Sequence, residues 1–460
     1  MHHNLKSLAL ILSVPLCLCG EALAQDLTPR SKPQERPVAI VNAIVHPISD
    51  RTLQSGFVLF TNGKIAGIGT VPFMDAAAWK EHGGNELHLD QDKWQKDDWR
   101  IIDAKGMHVY PGLIGAHTQL GLTEMQSIRS SNDLAETGGI TPEVRAITAV
   151  NPDSTLLPVT RSAGELIAGI FPSGGAIPGR AGVIRLDGWT VADMTVRDDI
   201  GLAVNWPMTR VITAWWMNKT EEEQRKDIDK GLRTIDEMFS GAKAYAAAKA
   251  AAQQPAADIR YDAMAGLFVS GATQKNVFIN AQDYDQIVQG VTLCAKHGLK
   301  CVIVGGRDAP MCADLLKRHN ASVIVGGTYK FPKRDDSPYD DAFTLPARLE
   351  AAGVKWCLAS GEETAHERNL APSAGMAVAY GLDHEAGLRS ITLSAAEILG
   401  IADTYGSIAI DKSATLIITD GDILDTTTHV TGAFLDGREV NLSDKQKALD
   451  QRYREKYKLK

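Results

Sequence analysis

Aromatic side chains make up only 6% of this 460-residue chain, and positive charge is not in excess: 48 Lys and Arg stand against 56 Asp and Glu, a formal net charge of -8. So few aromatics argue against a base-stacking platform for single strands. The acidic balance excludes a whole-protein attraction to nucleic acid or to an anionic membrane, which calls for a basic domain. Beyond residue 24, no apolar run approaches the roughly 20 residues needed to span a bilayer, so no stable membrane insertion is expected. Cysteine is scarce too, with six in all, two of them (Cys17 and Cys19) in an N-terminal apolar run. The other four, Cys294, Cys301, Cys312 and Cys357, could pair in more than one way. Cys301 and Cys357 lie in apolar, strand-like stretches, so buried thiols are the expectation. No internal repeat is visible.

What is present begins with a leader. Lys6 precedes the apolar stretch Leu8 to Cys19, and Ala22-Leu23-Ala24 supplies small residues before a cut. This is the layout of a secretory signal peptide over residues 1–24 and implies an exported, periplasmic protein. Residues 25–36 are polar and Pro-bearing and read as a linker. From Val38, short β-rich runs follow, with Asn62-Gly63 as a hairpin signal between two of them. Residues 74–99, with Trp79, Trp94 and Trp99, read as an insertion.

The middle of the chain has another rhythm. Strand-length runs at 181–186, 277–281, 301–304, 322–325 and 355–359 alternate with helical stretches at 220–240, 241–253, 283–297, 309–319 and 346–352. The regular alternation from 277 to 360 implies right-handed crossovers and a parallel sheet. Gly298 and Gly353 stand where left-handed caps are wanted. Strand-like runs return at 407–410, 414–419 and 433–435. The expected fold is α/β: a (β/α)8 TIM-like barrel over 111–403 and a discontinuous small β-sandwich of 37–110 with 404–442. A helical tail over 443–460 follows.

The stretch from Met107 to Leu120, with Pro111-Gly112-Leu113-Ile114-Gly115-Ala116-His117-Thr118-Gln119, resembles the first barrel strand of the amidohydrolase superfamily, whose motif there is P-G-x-I-D-x-H-x-H. The flanking runs Asn62-Gly63-Lys64-Ile65, Ile101-Ile-Asp-Ala-Lys-Gly, Ser390 to Gly400 and Phe434-Leu-Asp-Gly-Arg-Glu-Val resemble the same family. The resemblance covers about 37–442, and its closest flavour is the imidazolonepropionase-like exported amidohydrolases. It implies a hydrolase of amide or cyclic-amide C–N bonds in a small molecule. In such a site two imidazoles at i and i+2 share one face of a strand and aim at a metal. That metal lowers the pKa of a bound water, and a carboxylate after the eighth strand takes its proton.

This sequence departs from that pattern. His117 is kept, but Gln119 replaces the second histidine and Gly115 the aspartate. The later strands bring Asn280 and the pair Gly305-Gly306 where histidines are implied. The eighth offers Ser360 or Glu362 in place of an aspartate. The implied set is therefore His117 with Gln119 and Asn280 as weak oxygen ligands and Glu362, or Glu363, as base, with His366 able to assist Glu362. A catalytic zinc wants about three protein ligands. The cofactor expectation is one divalent ion, zinc first, or none. Ser173 to Gly182 is Gly-rich; its N–H groups and Arg180 could hold an anion of the substrate, or it is a tight loop over the barrel mouth. Asp335, Asp336, Asp340 and Asp341 could gather a hard cation, or form a solvated loop. His297 and His319 suit helix ends. Two functions follow: a metal-assisted hydrolase, or a catalytically inactive relative that binds a small molecule or serves structurally. A homo-oligomer is left open.

Overall fold

In a computed structural model, the described residues are 28–70, 99–361 and 363–459. The expected leader, Trp79, Trp94 and Glu362 lie outside them. Strands β1 (Val38–Val45), β2 (Leu53–Thr61) and β3 (Lys64–Thr70) form an antiparallel meander. Asn62 and Gly63 both have positive φ at its second turn, as a two-residue hairpin of that sequence requires. Strands β4 (Arg100–Asp103) and β5 (His108–Pro111) run parallel to the first and second parts of β1.

The chain then enters a second sheet. Its strands are β6 (Leu113–Thr118), β7 (Glu165–Ile170), β8 (Gly179–Arg185), β9 (Thr195–Asn205), β10 (Asn276–Ala281), β11 (Lys300–Gly305), β12 (Ser322–Gly326) and β13 (Trp356–Ala359). They are hydrogen-bonded in chain order, and β13 returns beside β6, so the barrel is nearly closed. From β9 to β13 all pairs are parallel, as the alternating rhythm implies. Strand β8 differs, being antiparallel to both β7 and β9. No crossover helix separates β7 from β8; residues 171–178 turn the chain directly. Strands β7 and β9 escape the sequence reading because Glu165 opens the first and Arg197-Asp198-Asp199 interrupt the second, breaking the apolar period.

The last strands, β14 (Leu416–Thr419), β15 (Val430–Leu435) and β16 (Arg438–Glu439), go back to the first sheet. Strand β14 pairs antiparallel with β5, so the two chain ends share one hydrogen-bonded set of strands.

The helix Glu221–Ala250 is a single element, where the sequence suggested a break at Gly241. Thr220 and Glu223 close a capping box at its start. The helix Tyr284–His297 starts at Asp283 and ends on left-handed Gly298, as expected. The helix Asp341–Ala351 starts earlier than the apolar pattern suggested and carries Pro346 within it. The tail helix Lys445–Tyr457 buries none of its residues. Cys294, Cys301, Cys312 and Cys357 are buried and free. Among the described residues no helix is long and apolar enough to cross a membrane.

One polar clasp joins distant stretches. The Arg161 guanidinium, fully buried, donates to the Leu186 carbonyl (2.9 Å), the Asn441 carbonyl (3.1 Å) and Thr28 Oγ1 (2.9 Å), and pairs with Asp187 at 3.3 Å.

Candidate functional site at the barrel mouth

Parallel strands deliver their C-terminal ends to one face of the barrel, where enzymes of this architecture keep their sites. His117, near the end of β6, is half-buried there. Its ring lies against Phe171, with centroids 4.3 Å apart, and Phe171 meets Phe278 edge-on at 4.9 Å. Burial, aided by the Lys330 ammonium, lowers the His117 pKa to about 4. The imidazole is therefore neutral at physiological pH. Lys330 Nζ stands over the end of β12, 2.9 Å from where a Cβ on Gly326 would be. A cavity of about 480 Å³ opens beside it, lined by Gln282, Arg307, Tyr329, Lys330 and Phe331 among others. A larger cleft, about 810 Å³, lies away from this face, between residues 29–36 and β15–β16. Its Arg100–Glu439 pair is solvent-exposed, and it carries none of the chemistry described here.

The other implied ligands have surroundings of their own. Asn280 is exposed and donates from Nδ2 to Asn205 Oδ1 at 3.4 Å; Asn205 donates in turn to the Gly175 carbonyl at 2.8 Å. Gln119 is half-buried, and its backbone carbonyl accepts from Leu122 N–H. Glu363 and His366 are exposed, and the implied base Glu362 lies outside the described residues.

Two glycines stand where the resemblance implies larger side chains, and each is closely packed. A Cβ on Gly115, the motif's aspartate position, would fall 2.0 Å from Glu165 Oε1, so a carboxylate from β7 fills that place. A Cβ on Gly305, at the end of β11, would fall 1.9 Å from Gln282 Nε2, and Gly305 has φ of +100°, which a histidine would rarely adopt. Among the described residues, no group of three His, Cys, Asp or Glu side chains can hold a metal ion. With the Lys330 ammonium acting on the His117 imidazole, the described residues do not fit the divalent ion that the resemblance implies.

At two places where alternatives stood open, the groups have partners within the fold. Arg180 pairs with Asp199 at 2.7 Å and donates to the Pro142 and Glu143 carbonyls. The Gly-rich loop is likewise occupied, since its Ala176 and Ile177 N–H groups donate to the Gly139 carbonyl. The aspartates around Arg334 do not converge on a cation. Asp341 is taken by Arg348, while Asp335 and Asp336 point into solvent.

The sequence reading missed Glu165. It is 1% exposed, and neither of its carboxylate oxygens meets a hydrogen-bond donor among the described residues. Burial and the neighbouring Glu367 carboxylate hold its pKa well above the ordinary value. It also missed an imidazole cluster away from the mouth. His46 Nε2 meets His108 Nδ1 at 2.9 Å, the rings stack with Tyr110, and His384 bonds Asp422 at 2.5 Å. Only the pairing of β1 with β5 brings the first two together, a register that no local pattern announces.

Residues 218–442 match the sequence profile of the amidohydrolase family. That stretch excludes the His117 motif, so two separate parts of the chain point the same way. The crystal structure of an amidohydrolase from Thermotoga maritima MSB8 superposes with a TM-score of 0.73 at 23% identity, over 88% of this chain and 99% of that one. The chain carries the amidohydrolase fold. The same fold aligns 88% of the chain with 98% of 5-methylcytosine deaminase from Klebsiella pneumoniae, liganded with 5-fluorocytosine, at a TM-score of 0.52 and 13% identity. It also aligns 88% of the chain with all of a Xaa-Pro dipeptidase holding methionine in its active site (100% of that chain, TM-score 0.50, 13% identity). None of the curated proteins matches the chain. What these solved proteins share with the chain is the barrel fold.

Proposed function

We propose that this amidohydrolase-fold protein binds a small, carboxylate-bearing amide at its barrel mouth and does not hydrolyse it through a resident metal. The observation that carries this reading is the 480 Å³ cavity at the mouth, whose wall carries Lys330, near neutral His117, together with Lys333 and Arg307, the last paired with Asp283. Asp341, the acidic group on that wall, is already paired with Arg348. Such a lining attracts an anion and opposes a dication. Tyr329 and Phe331 supply the apolar surface that small-molecule cavities use for most of their contact. Solved proteins of the fold that hold methionine or 5-fluorocytosine are consistent with a ligand of that size.

Calorimetry of the purified protein with a panel of N-acyl amino acids, cyclic amides and their methyl esters tests this. The acids should bind and the esters should not. Lys330→Ala should weaken binding about 10- to 100-fold, the range expected for a charge-assisted hydrogen bond. Turnover that depends on an added divalent ion and vanishes in His117→Ala would overturn the proposal. It would restore the second reading, metal-assisted C–N hydrolysis with Glu362 as base, which the family match over 218–442 favours.

We also propose that the protein works after export, in the periplasm, on the strength of the charged start, apolar run and Ala22-Leu23-Ala24 cut. Terminal sequencing of the native protein should begin at Gln25; an intact Met1 would count against this.

A further inference from the structure

Loops at the mouth carry an unusual share of exposed large apolar side chains. Trp215 is 96% exposed, Phe331 92%, Tyr339 75% and Met311 70%, with Trp216 and Met208 more than half exposed. These six lie on the segments after β9, β11 and β12, all of which end at the same face of the barrel. Ion pairs tie these segments into one platform: Arg210 reaches Asp285 at 3.7 Å, and Arg334 reaches Asp283 at 3.2 Å and Asp308 at 2.5 Å, while Arg307 pairs with Asp283. The platform is thus held from within, yet its apolar side chains project from it uncovered.

The four aromatics alone expose roughly 600 Å², given ~150–250 Å² for each such side chain. Summed over the segments of this face, that area approaches the ~800 Å² that each partner contributes to a standard interface. Trp, Tyr, Phe and Met are also the residues enriched at interface centres. The charges around them suit a copy of the same surface. Along the β12-to-helix segment, exposed Lys333 is followed by exposed Asp335 and Asp336. A two-fold axis through the patch sets the basic part of one segment against the acidic part of the other, a self-complementary arrangement. A membrane surface would meet those aspartates with repulsion.

We propose that the mouth face is the interface of a two-fold homodimer, in which Trp215 and Phe331 of each copy are the anchors and Lys333 of one copy meets Asp335 and Asp336 of the other. The two cavities then face one another, and the partner forms the roof of each.

Sedimentation equilibrium of the mature chain over a wide concentration range tests the proposal. The expected result is a dimer. Trp215→Ser combined with Phe331→Ser should raise its dissociation constant at least about 100-fold, since interface anchors carry ~2 kcal/mol or more each and 1.4 kcal/mol is tenfold. Circular dichroism should stay as in the parent, because both side chains are exposed, and melting should lose the concentration dependence that dimerisation confers. Lys333→Asp should weaken the dimer, and Lys333→Asp with Asp335→Lys and Asp336→Lys should recover most of the loss. A parent that is monomeric throughout overturns the proposal. So does a dimer indifferent to both sets of variants, or a monomer that co-sediments with phosphatidylglycerol vesicles through the same tryptophan. Amide binding is measured alongside on the parent and on Trp215→Ser alone, which leaves the cavity lining intact, so that failure of the ligand proposal is told apart from failure of this one.

Discussion

Gly115→Asp, which restores the family's motif residue, is expected to destabilise the protein by at least about 3 kcal/mol or to prevent folding. The new side chain has no room: its Cβ alone would sit 2.0 Å from Glu165 Oε1 and 2.8 Å from Thr118 Cγ2. Overpacking a tight interior costs about 1–3 kcal/mol. The variant would also add a carboxylate beside Glu165 and Glu367, both 1% exposed, and burying an uncompensated charge costs about as much again. Combining Gly115→Asp with Glu165→Ala should recover most of the loss, because the space and the carboxylate then change places. Urea midpoints of the parent, the two single variants and the double variant give the coupling directly. Strict additivity would show that Glu165 does not occupy the motif's place in solution.

Glu165→Gln is expected to stabilise the protein at pH 7 and to leave it nearly unchanged at pH 4. A carboxyl whose folded pKa is raised makes its full contribution below the unfolded value, near 4.5, and loses it as the pH rises toward the folded value. In that window the unfolded chain releases a proton that the folded chain keeps, so stability falls by about 1.4 kcal/mol per pH unit for this one group. The amide of glutamine does not ionise, and the variant should lack that slope. Urea unfolding at half-unit steps from pH 4 to 7 measures it. Parallel profiles for parent and variant would mean that Glu165 is ionised in the folded protein and has a partner that compensates it.

Both predictions concern residues that the sequence alone leaves inconspicuous. The resemblance singles out Gly115 within 107–120 and Gly305 at the end of β11, because it assigns those positions a role. What fills them cannot be read locally. Glu165 arrives from the next strand and Gln282 from the adjacent one, and only the strand register sets them against those glycines. The same limit hid the imidazole cluster. By contrast, the parallel run β10–β13 and the left-handed end at Gly298 were legible, since apolar period and cap chemistry are local properties. The direction of β8 was not. An apolar run looks the same read toward either end of a barrel, and only the short connection over 171–178 settles it. The Gly-rich loop and Arg180 stood open between two readings for a related reason: the partners of their N–H groups and guanidinium, the Gly139 carbonyl, Asp199 and other backbone carbonyls, come from elsewhere in the chain.

The clasp around Arg161 has a consequence for the order in which the molecule is made. Its partners come from Thr28, from Leu186 and Asp187, and from Asn441, so the guanidinium is fully satisfied only when nearly the whole chain is present. Strand β5 is in the same position, waiting as an open edge until β14 arrives. A chain halted before residue 416 has a nearly complete barrel but a bare sheet edge and an arginine short of an acceptor. The terminal strands therefore act as a completion check: synthesis must reach them before the first sheet and the buried charge are both settled, and products cut short of them are left with surfaces that invite aggregation or proteolysis.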